Sequence, residues 1–566
     1  MSKAYSIHNR GRSQTITHPD PWAEGEEHKP LRELIQGLWQ TSITFLVKTI
    51  PLAIGCSVLG AIVYFTAGDK VGLALGAGSF AMILSWQYPR GALWFFFLYM
   101  PFAGTVTYWL VNGNTLFQLA KDAFYIPALI SLFLAISRTK KKKFFHPKVI
   151  LPSLWLLVSF CFLSLLFVSI PRQFLEGGLL FAQGLLGLKV LIGYIPLIFL
   201  MQILIRGKRE LWFLNRTHVL LAIVCCGLCF LQYFFLSTGR CQGTDHLQGA
   251  ALFETTLDAK CLVGGSLLYS PSQGVIRLPG TFVAPWQWGW FLIGNAYLTF
   301  AGAFADPSWR WRTVSFGGMV SVTAAAVISG QRVALALVPA SFLLLLVLTG
   351  QLLNVKRLVQ VGLGAIVTGL FAWFQYRDLI ISRIENFQGR WQASPADDMI
   401  AHQFGFVWKA MKGPELLLGH GLGSATNSAR MFGNTWLIET WFPKLLFETG
   451  LLGVALFLIF VTVLSVAGFQ YYRRLQDRSL KDLAACYWVF VLFISYQTYY
   501  YPLDVDPVAV YYWMMLGVLF RLPEIDRPQE ADSVSPSEKK GGSQGKSRRF
   551  APMRRPPQSK RNATEI

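Results

Sequence analysis

Long apolar runs constrain this chain most, because many of them approach the ~20 residues that an α-helix needs to cross a bilayer. Hydrophobic residues make up 53% of the 566 residues, the mean hydropathy is +0.42, and charged residues make up only 14%. Soluble domains carry roughly 25% charged residues. The sequence therefore predicts an all-α polytopic membrane protein with about 12–14 transmembrane helices and a large external loop that contains short helices.

The candidate spans follow one another with mostly short polar connections. They lie near residues 45–67, 71–87, 91–111, 115–137, 149–169, 178–205, 213–237, 283–304, 313–330, 333–352, 357–374, 437–466, 484–502 and 507–521.

Five groups of basic residues fall on one side of the membrane in this order of spans. They are Arg138 with Lys140–Lys143, Arg206 with Lys208 and Arg209, Arg310 with Arg312, Lys356 with Arg357, and Arg473 with Arg474 and Arg478. Because loops rich in lysine and arginine stay in the cytoplasm, we place this side and both termini there. The net charge of +21 then indicates orientation in a membrane rather than nucleic-acid binding.

Three regions follow from this pattern. Residues 1–42 are expected to be a cytoplasmic segment that is disordered in part, and residues 43–521 form the membrane domain. Residues 522–566 form a basic tail in the cytoplasm, with too few apolar residues to bury a core, so we expect it to be disordered.

Two polar segments of the membrane domain are expected to be external loops, near residues 238–282 and 375–436. The second is the longest polar segment inside the domain. Apolar residues at helical spacing predict an amphipathic helix over residues 398–412, which would lie on the membrane surface.

The eight cysteines give limited information. Six lie in apolar spans and are interpreted as packing residues, whereas Cys241 and Cys261 flank a polar loop. An oxidising compartment would permit a disulfide between these two, but their spacing alone decides nothing. The sequence has no cysteine or histidine cluster at metal-ligand spacing, so we expect no metal site.

Basic residues on the external side are unusual and mark a candidate site. Arg277, Arg332 and Arg383 lie at external positions, and Lys121 and Lys189 lie within or at the edge of spans. An ionisable group at such depth costs several kcal/mol unless it is paired or hydrated. The planar guanidinium of arginine donates two parallel hydrogen bonds to a phosphate, so a convergent cluster would suit a pyrophosphate.

Four of these residues also have a simpler interpretation. Arg332 and Lys189 could snorkel towards lipid phosphates, Arg277 could anchor its loop, and Lys121 could pair with Asp122 or form another buried pair.

A second group of candidates opens the late span. Glu439 lies at the expected external end of a helix, where a carboxylate interacts well with the helix dipole and could accept a proton from a sugar hydroxyl. The alternative is an ordinary helix-start acid. Lys444 and Glu448 are four residues apart and can pair along the helix. Sugar rings could stack on three tryptophans that equally suit an interfacial belt, namely Trp391, Trp408 and Trp441.

A glycine-rich stretch, Gly419–Gly423 (GHGLG), precedes this span and contains His420. A nucleotide-binding role is disfavoured, because the stretch follows no strand and is expected to be external.

Taken in order along the chain, these motifs resemble those of the O-antigen ligase and polymerase superfamily of bacterial membrane proteins. The resemblance extends over most of the chain and includes the pair Lys121–Asp122, the segment Arg277–Phe282 (RLPGTF) followed by Pro285, the turn Ser329–Arg332 (SGQR), the stretch Gly419–Gly423, and the ending Glu448–Gly453 (ETGLLG).

The resemblance implies an inverting glycosyl transfer without metal or cofactor at the outer face of the inner membrane. The donor would be a glycan on undecaprenyl pyrophosphate and the acceptor another glycan, with membrane lipids and chain-length or export proteins as further partners. Arg277 and Arg332 occupy the positions of the family's pyrophosphate-binding arginines, and Lys189 and Arg383 are further candidates.

The ligases carry a His-Asn pair at the position that Glu439-Thr440 occupies here, nine residues before Glu448. His420 lies in the glycine-rich stretch and not at that position. The sequence therefore favours the exopolysaccharide polymerase branch, with Glu439 as the catalytic residue. The alternatives are a ligase that joins glycan to lipid A core or to protein, a secondary anion transporter, which should show repeated halves, and a structural subunit.

Overall fold

The computed structural model describes residues 31–113, 120–138, 148–252, 255–271, 274–353 and 395–527, together with scattered positions between 374 and 392. Its longer helices are Leu31–Ala67, Asp69–Gln87, Pro89–Tyr99, Ala120–Arg138, Leu151–Ser164, Leu180–Ile192, Lys208–Ser237, Pro285–Ala305, Trp309–Ile328, Arg332–Leu348, Ala396–Ala410, Trp441–Arg473, Arg478–Tyr496 and Val508–Asp526. Shorter helices are Ile170–Glu176, Leu197–Leu204 and Glu415–Leu418.

The all-α polytopic class is confirmed. Within the described residues, nine helices are long and apolar enough to cross a membrane, and a bent helix pair makes a tenth. The Val71–Gln87 and Arg332–Leu348 helices are apolar but shorter. The expected span at 357–374 lies almost wholly outside the described residues.

The centre of the bundle is formed by two helices that differ from the lipid-facing ones. In Val508–Asp526, 78% of an apolar stretch of 18 consecutive residues is buried, against 17% in Thr49–Thr66 at the periphery. The Pro285–Ala305 helix is buried along almost its whole length but is not among the nine. It carries polar residues such as Asn295, whose amide donates to the carbonyl oxygen of Phe291. A helix surrounded by protein need not be as apolar as one that faces lipid.

Two predicted spans are interrupted. The run predicted at 178–205 is a pair of helices, Leu180–Ile192 and Leu197–Leu204, bent by 49°. The run predicted at 437–466 is the helix Trp441–Arg473, in which Gly450 has φ +66° and ψ −175° and breaks the helix. A side chain at Gly450 would meet the backbone of Leu417 at 2.3 Å, so this close approach requires glycine.

The loop predicted at 238–282 contains two antiparallel hairpins, a feature that the all-α prediction did not include. Lys260–Cys261 pairs with Val263–Ser266, and Leu268–Ser270 pairs with Val275–Arg277. A disulfide joins Cys241 to Cys261, which settles the pairing that spacing alone left open.

The predicted helix at 398–412 is confirmed as Ala396–Ala410. At the N-terminus, the first helix begins at Leu31, inside the segment expected to be loose. Residues 1–30 and 528–566, which include most of both predicted disordered segments, lie outside the described residues.

Candidate functional site

A backbone hydrogen bond joins the two external arginine motifs. Arg277 ends a hairpin strand, and the amide of Leu278 donates a 3.0 Å hydrogen bond to the carbonyl oxygen of Ser329. Gly330 has φ +70°, and a Cβ there would lie 3.4 Å from Cγ of Arg277. Arg332 then begins the next helix. The two motifs are therefore one structural unit, although 55 residues of chain separate their arginines.

A third arginine joins this unit from the long loop. Arg383 and Arg332 line one small cavity of about 20 Å³ together with Gly330. The Nε and one Nη of Arg383 are buried and have no hydrogen-bond partner among the described residues. Burial lowers the pKa of Arg383. A buried guanidinium with unpaired donors is suited to bind an anion, because leaving those donors unpaired costs free energy.

Glu439 is positioned by a strand-like contact with the connection between the last two spanning helices. Thr440 forms an isolated antiparallel bridge with Tyr499, and the amide of Trp441 donates a 2.6 Å hydrogen bond to the carbonyl oxygen of Thr498. This contact places Glu439 just before the helix that begins at Trp441 and beside the residues that follow Tyr499.

Those next residues, Tyr500 and Tyr501, both have positive φ, +56° and +27°. Non-glycine residues in this region are strained, and such strain clusters at functional sites. The carbonyl oxygen of Tyr500 accepts from the indole of Trp290 at 3.2 Å, and the hydroxyl of Tyr501 accepts from the amide of Asn427 at 3.2 Å. Burial raises the pKa of Tyr501, and the carboxylate of Glu439 raises it further.

These elements enclose a first cavity of about 510 Å³. Arg277 and Glu439, which the sequence predicted as pyrophosphate-binding and catalytic residues, both line it. The remaining lining side chains include four aromatic rings, two amides and one more arginine, namely Trp286, Trp290, Tyr500, Tyr501, Gln331, Asn427 and Arg430. This volume lies within the range of small-molecule sites.

A second cavity, of about 410 Å³, adjoins the first. Both are lined by Trp286, Asn427, Arg430 and Tyr501, which we call the shared wall.

The predicted residues Lys121 and Lys189 line this second cavity and not the first. Both are paired. Lys121 forms an ion pair with Asp506, and Lys189 lies 3.0 Å from a carboxylate oxygen of Asp122. Of the two pairings open to Lys121 in the sequence, the structure has the buried pair, with Asp506 rather than the neighbouring Asp122 as the partner.

Lys444 and Glu448 lie buried next to the second cavity rather than inside it. Nζ of Lys444 is 3.6 Å from Glu448 and 3.3 Å from Asp504, and it donates to Thr426 at 2.9 Å. The other oxygen of Glu448 accepts from the amide of Ala425 and from the hydroxyl of Thr426, both at 2.9 Å. Burial raises the pKa of Asp504 to about 6 against the lowering effect of Lys444.

The glycine-rich stretch allows close packing against neighbouring backbone. A Cβ at Gly419 would lie 2.4 Å from the backbone of Glu448, and one at Gly423 would lie 2.2 Å from the carbonyl oxygen of Gln183. His420 stacks on Phe447 with ring centroids 4.2 Å apart and lines neither of the two cavities. These close approaches explain why glycines recur here.

The two described tryptophans of the three proposed for sugar stacking do not line the cavities. Trp441 is buried against Phe457, Trp408 is more than half exposed, and Trp391 lies outside the described residues. The cavity aromatics are instead Trp286 and Trp290.

The sequence prediction missed Asp504 and Asp506 as well. A signal was present, because two carboxylates stand in the short connection between the last two apolar runs.

Among the described residues no group of His, Cys, Asp and Glu could hold a metal ion. Comparison with protein-family models and with curated proteins gives no match for this chain.

Proposed function

We propose that this protein is a glycosyltransferase of the bacterial inner membrane that polymerises oligosaccharide units carried on undecaprenyl pyrophosphate. The observation that carries the proposal is the cavity that Arg277 and Glu439 line together, backed by the turn that bears Arg332. A cationic group for a diphosphate and a carboxylate for a hydroxyl are the two requirements of this transfer.

In this mechanism the arginines bind the pyrophosphate and stabilise the charge that develops on it. An acceptor hydroxyl attacks the anomeric carbon from the opposite face, and the bond from that carbon to the pyrophosphate oxygen breaks. Glu439 takes the hydroxyl proton, and undecaprenyl pyrophosphate leaves. The configuration at the anomeric carbon inverts, and no metal or cofactor takes part. Orientation of both substrates at one site lowers the barrier further.

Polymerase activity is favoured over ligase activity by the residue at the base position. Glu439 stands where the ligases carry histidine, and His420 is stacked on Phe447 away from the cavities. The external placement of this site rests on the basic loops and on the Cys241–Cys261 disulfide, since disulfides persist in oxidising compartments.

The test replaces Arg277 by Ala, Arg332 by Ala and Glu439 by Gln, singly, in a host that lacks its own copy. Surface glycan length and lipid-linked repeat units are then measured. We expect short glycans and accumulated lipid-linked units. Arg310→Ala, at an exposed arginine outside the cavities, is the charge-matched control and should leave long glycans. Normal glycan in all variants, at wild-type protein levels, would contradict the proposal, and lost uptake of an anionic solute would instead indicate a transporter.

A further inference from the structure

The second cavity has a different electrostatic character from the first. The first is lined by Arg277, Arg430 and one carboxylate, Glu439, and the small cavity that Arg332 and Arg383 line has Gln331 in common with it. In the second, Arg430 stands on the shared wall, and the other charged groups are matched by partners of opposite sign: Lys121 by Asp506, Lys189 by Asp122, and Asp504 by Lys444. Away from the shared wall, this mutual pairing leaves no excess of positive charge to hold a diphosphate.

The lining of the second cavity instead suits hydroxyl groups. The carboxylates of Asp504 and Asp506 can accept from hydroxyls, and the amides of Gln287 and Asn427 can both donate and accept. The indole of Trp286 offers an apolar face. Paired carboxylates, amides and an aromatic ring are the groups that recognise an uncharged sugar.

The shared wall relates this cavity to the reaction. Trp286, Asn427, Arg430 and Tyr501 border both cavities, so a ligand in one lies against a ligand in the other. Inversion requires the acceptor hydroxyl to approach the anomeric carbon from the side opposite to the pyrophosphate. Two adjoining cavities, one cationic and one charge-balanced, supply these two sides.

We infer that the second cavity is the acceptor subsite, and that it takes an uncharged sugar unit of the acceptor glycan. This inference rests on the proposed function and deepens it. The acceptor hydroxyl at the shared wall forms the new bond to the anomeric carbon, the bond to the pyrophosphate breaks, and the proton goes to Glu439. Asp504, Asp506 and Trp286 orient the acceptor.

The test fills each cavity with a tryptophan. Val190 lines only the second cavity and Val333 only the first. The variants Val190→Trp and Val333→Trp therefore make the same chemical change at the two sites. Two probes are bound to the purified full-length protein: the lipid-free oligosaccharide repeat unit cut from the host's polymer, and undecaprenyl pyrophosphate.

We expect Val190→Trp to weaken oligosaccharide binding at least about tenfold, roughly 1.4 kcal/mol, and to leave undecaprenyl pyrophosphate binding intact. Val333→Trp should do the reverse. Leu186→Trp, which also fills only the second cavity, provides a second variant if Val190→Trp fails to fold.

Oligosaccharide binding that survives both second-cavity variants, or that is absent from the wild-type protein, would overturn the inference. Undecaprenyl pyrophosphate binding and the loss of activity in Arg277→Ala would still stand in that case. A wild-type protein that binds no undecaprenyl pyrophosphate would instead contradict the proposed function itself.

Discussion

The amide of Leu278 donates a 3.0 Å hydrogen bond to the carbonyl oxygen of Ser329, and this bond joins the two segments that carry Arg277 and Arg332. Each segment leads into a helix, the buried helix Pro285–Ala305 on one side and the shorter, partly exposed helix Arg332–Leu348 on the other. The position of the two guanidinium groups therefore depends on one backbone contact between rigid elements, and substitutions at that contact should affect function without changing either arginine.

Gly330→Ala tests this dependence. Gly330 has φ +70°, so alanine is strained by roughly 1–2 kcal/mol, and its methyl would contact Cγ of Arg277 at 3.4 Å. Gly350→Ala is the matched control, because Gly350 has φ +65° and no described atom within 4 Å of the added Cβ. The thermal unfolding temperature in detergent should fall by a similar amount in both variants. The surface glycan chains should become shorter only in Gly330→Ala. Equal glycan lengths would show that the contact does not position Arg277.

The buried ion cluster around Lys444 predicts a large stability effect. Lys444→Met keeps the length of the side chain but leaves Glu448 and Asp504 without their shared cation. Breaking a buried pair in this way costs about 3–5 kcal/mol. Lys208→Met is the control, because the Lys208–Asp477 pair is 53% and 30% exposed and contributes below about 1 kcal/mol. The melting temperatures of the two purified variants should differ clearly, and equal values would show that the buried cluster is not needed for stability.

Asp504 gives the folded protein a specific pH dependence. Burial raises its pKa from the ordinary 3.8 to about 6, so between these values the folded state binds more protons than the unfolded state. Stability should therefore fall as pH rises from about 4 to about 6, and level off above. The groups that act on Asp504 are Lys444, Glu448 and Asp506.

Asp504→Asn cannot titrate, and this part of the pH dependence should disappear from its melting curves. Asp258→Asn removes an exposed carboxylate and should leave the decline in place. A wild-type melting temperature that rises between pH 4 and pH 6 in step with Asp504→Asn would rule out this role for Asp504.

Local sequence patterns predicted the helices better than the pairings between them. The 15-residue helix Ala396–Ala410 was predicted within two residues at each end because its apolar residues repeat at helical spacing. Arg277 and Glu439 were singled out because a charge near an apolar run needs a reason. Their common cavity depends on the contact between Thr440 and Tyr499, which are 59 residues apart. A single sequence holds no signal for that contact.

The partners in the ion pairs could not be predicted from the sequence either. Lys121 and Asp122 are neighbours in sequence, yet their side chains pair with Asp506 and Lys189 respectively. Adjacent helical residues point in different directions, so a sequence neighbour is a poor guide to a partner in a helix. Gly419–Gly423 was singled out for its composition, but its meaning, close packing against Glu448 and Gln183, requires the tertiary structure.

The orientation of the site is tested by thiol labelling. If the basic loops lie in the cytoplasm, Arg474 is inside the cell and the loop that carries Lys412 is outside. Both side chains are exposed. Lys412→Cys should react with a membrane-impermeant maleimide in spheroplasts, whereas Arg474→Cys should react only after permeabilisation.

The native background of this labelling should be low. The six cysteines outside the disulfide are all buried, and Cys241 and Cys261 are joined to each other. Buried and oxidised sulfur atoms do not react with an aqueous maleimide, since the thiolate is the nucleophile. Reversed labelling of the two variants would place the arginine-lined cavity on the cytoplasmic side. A lipid-linked glycan polymerase of the outer face would then be excluded, because its donor would be presented to the opposite surface.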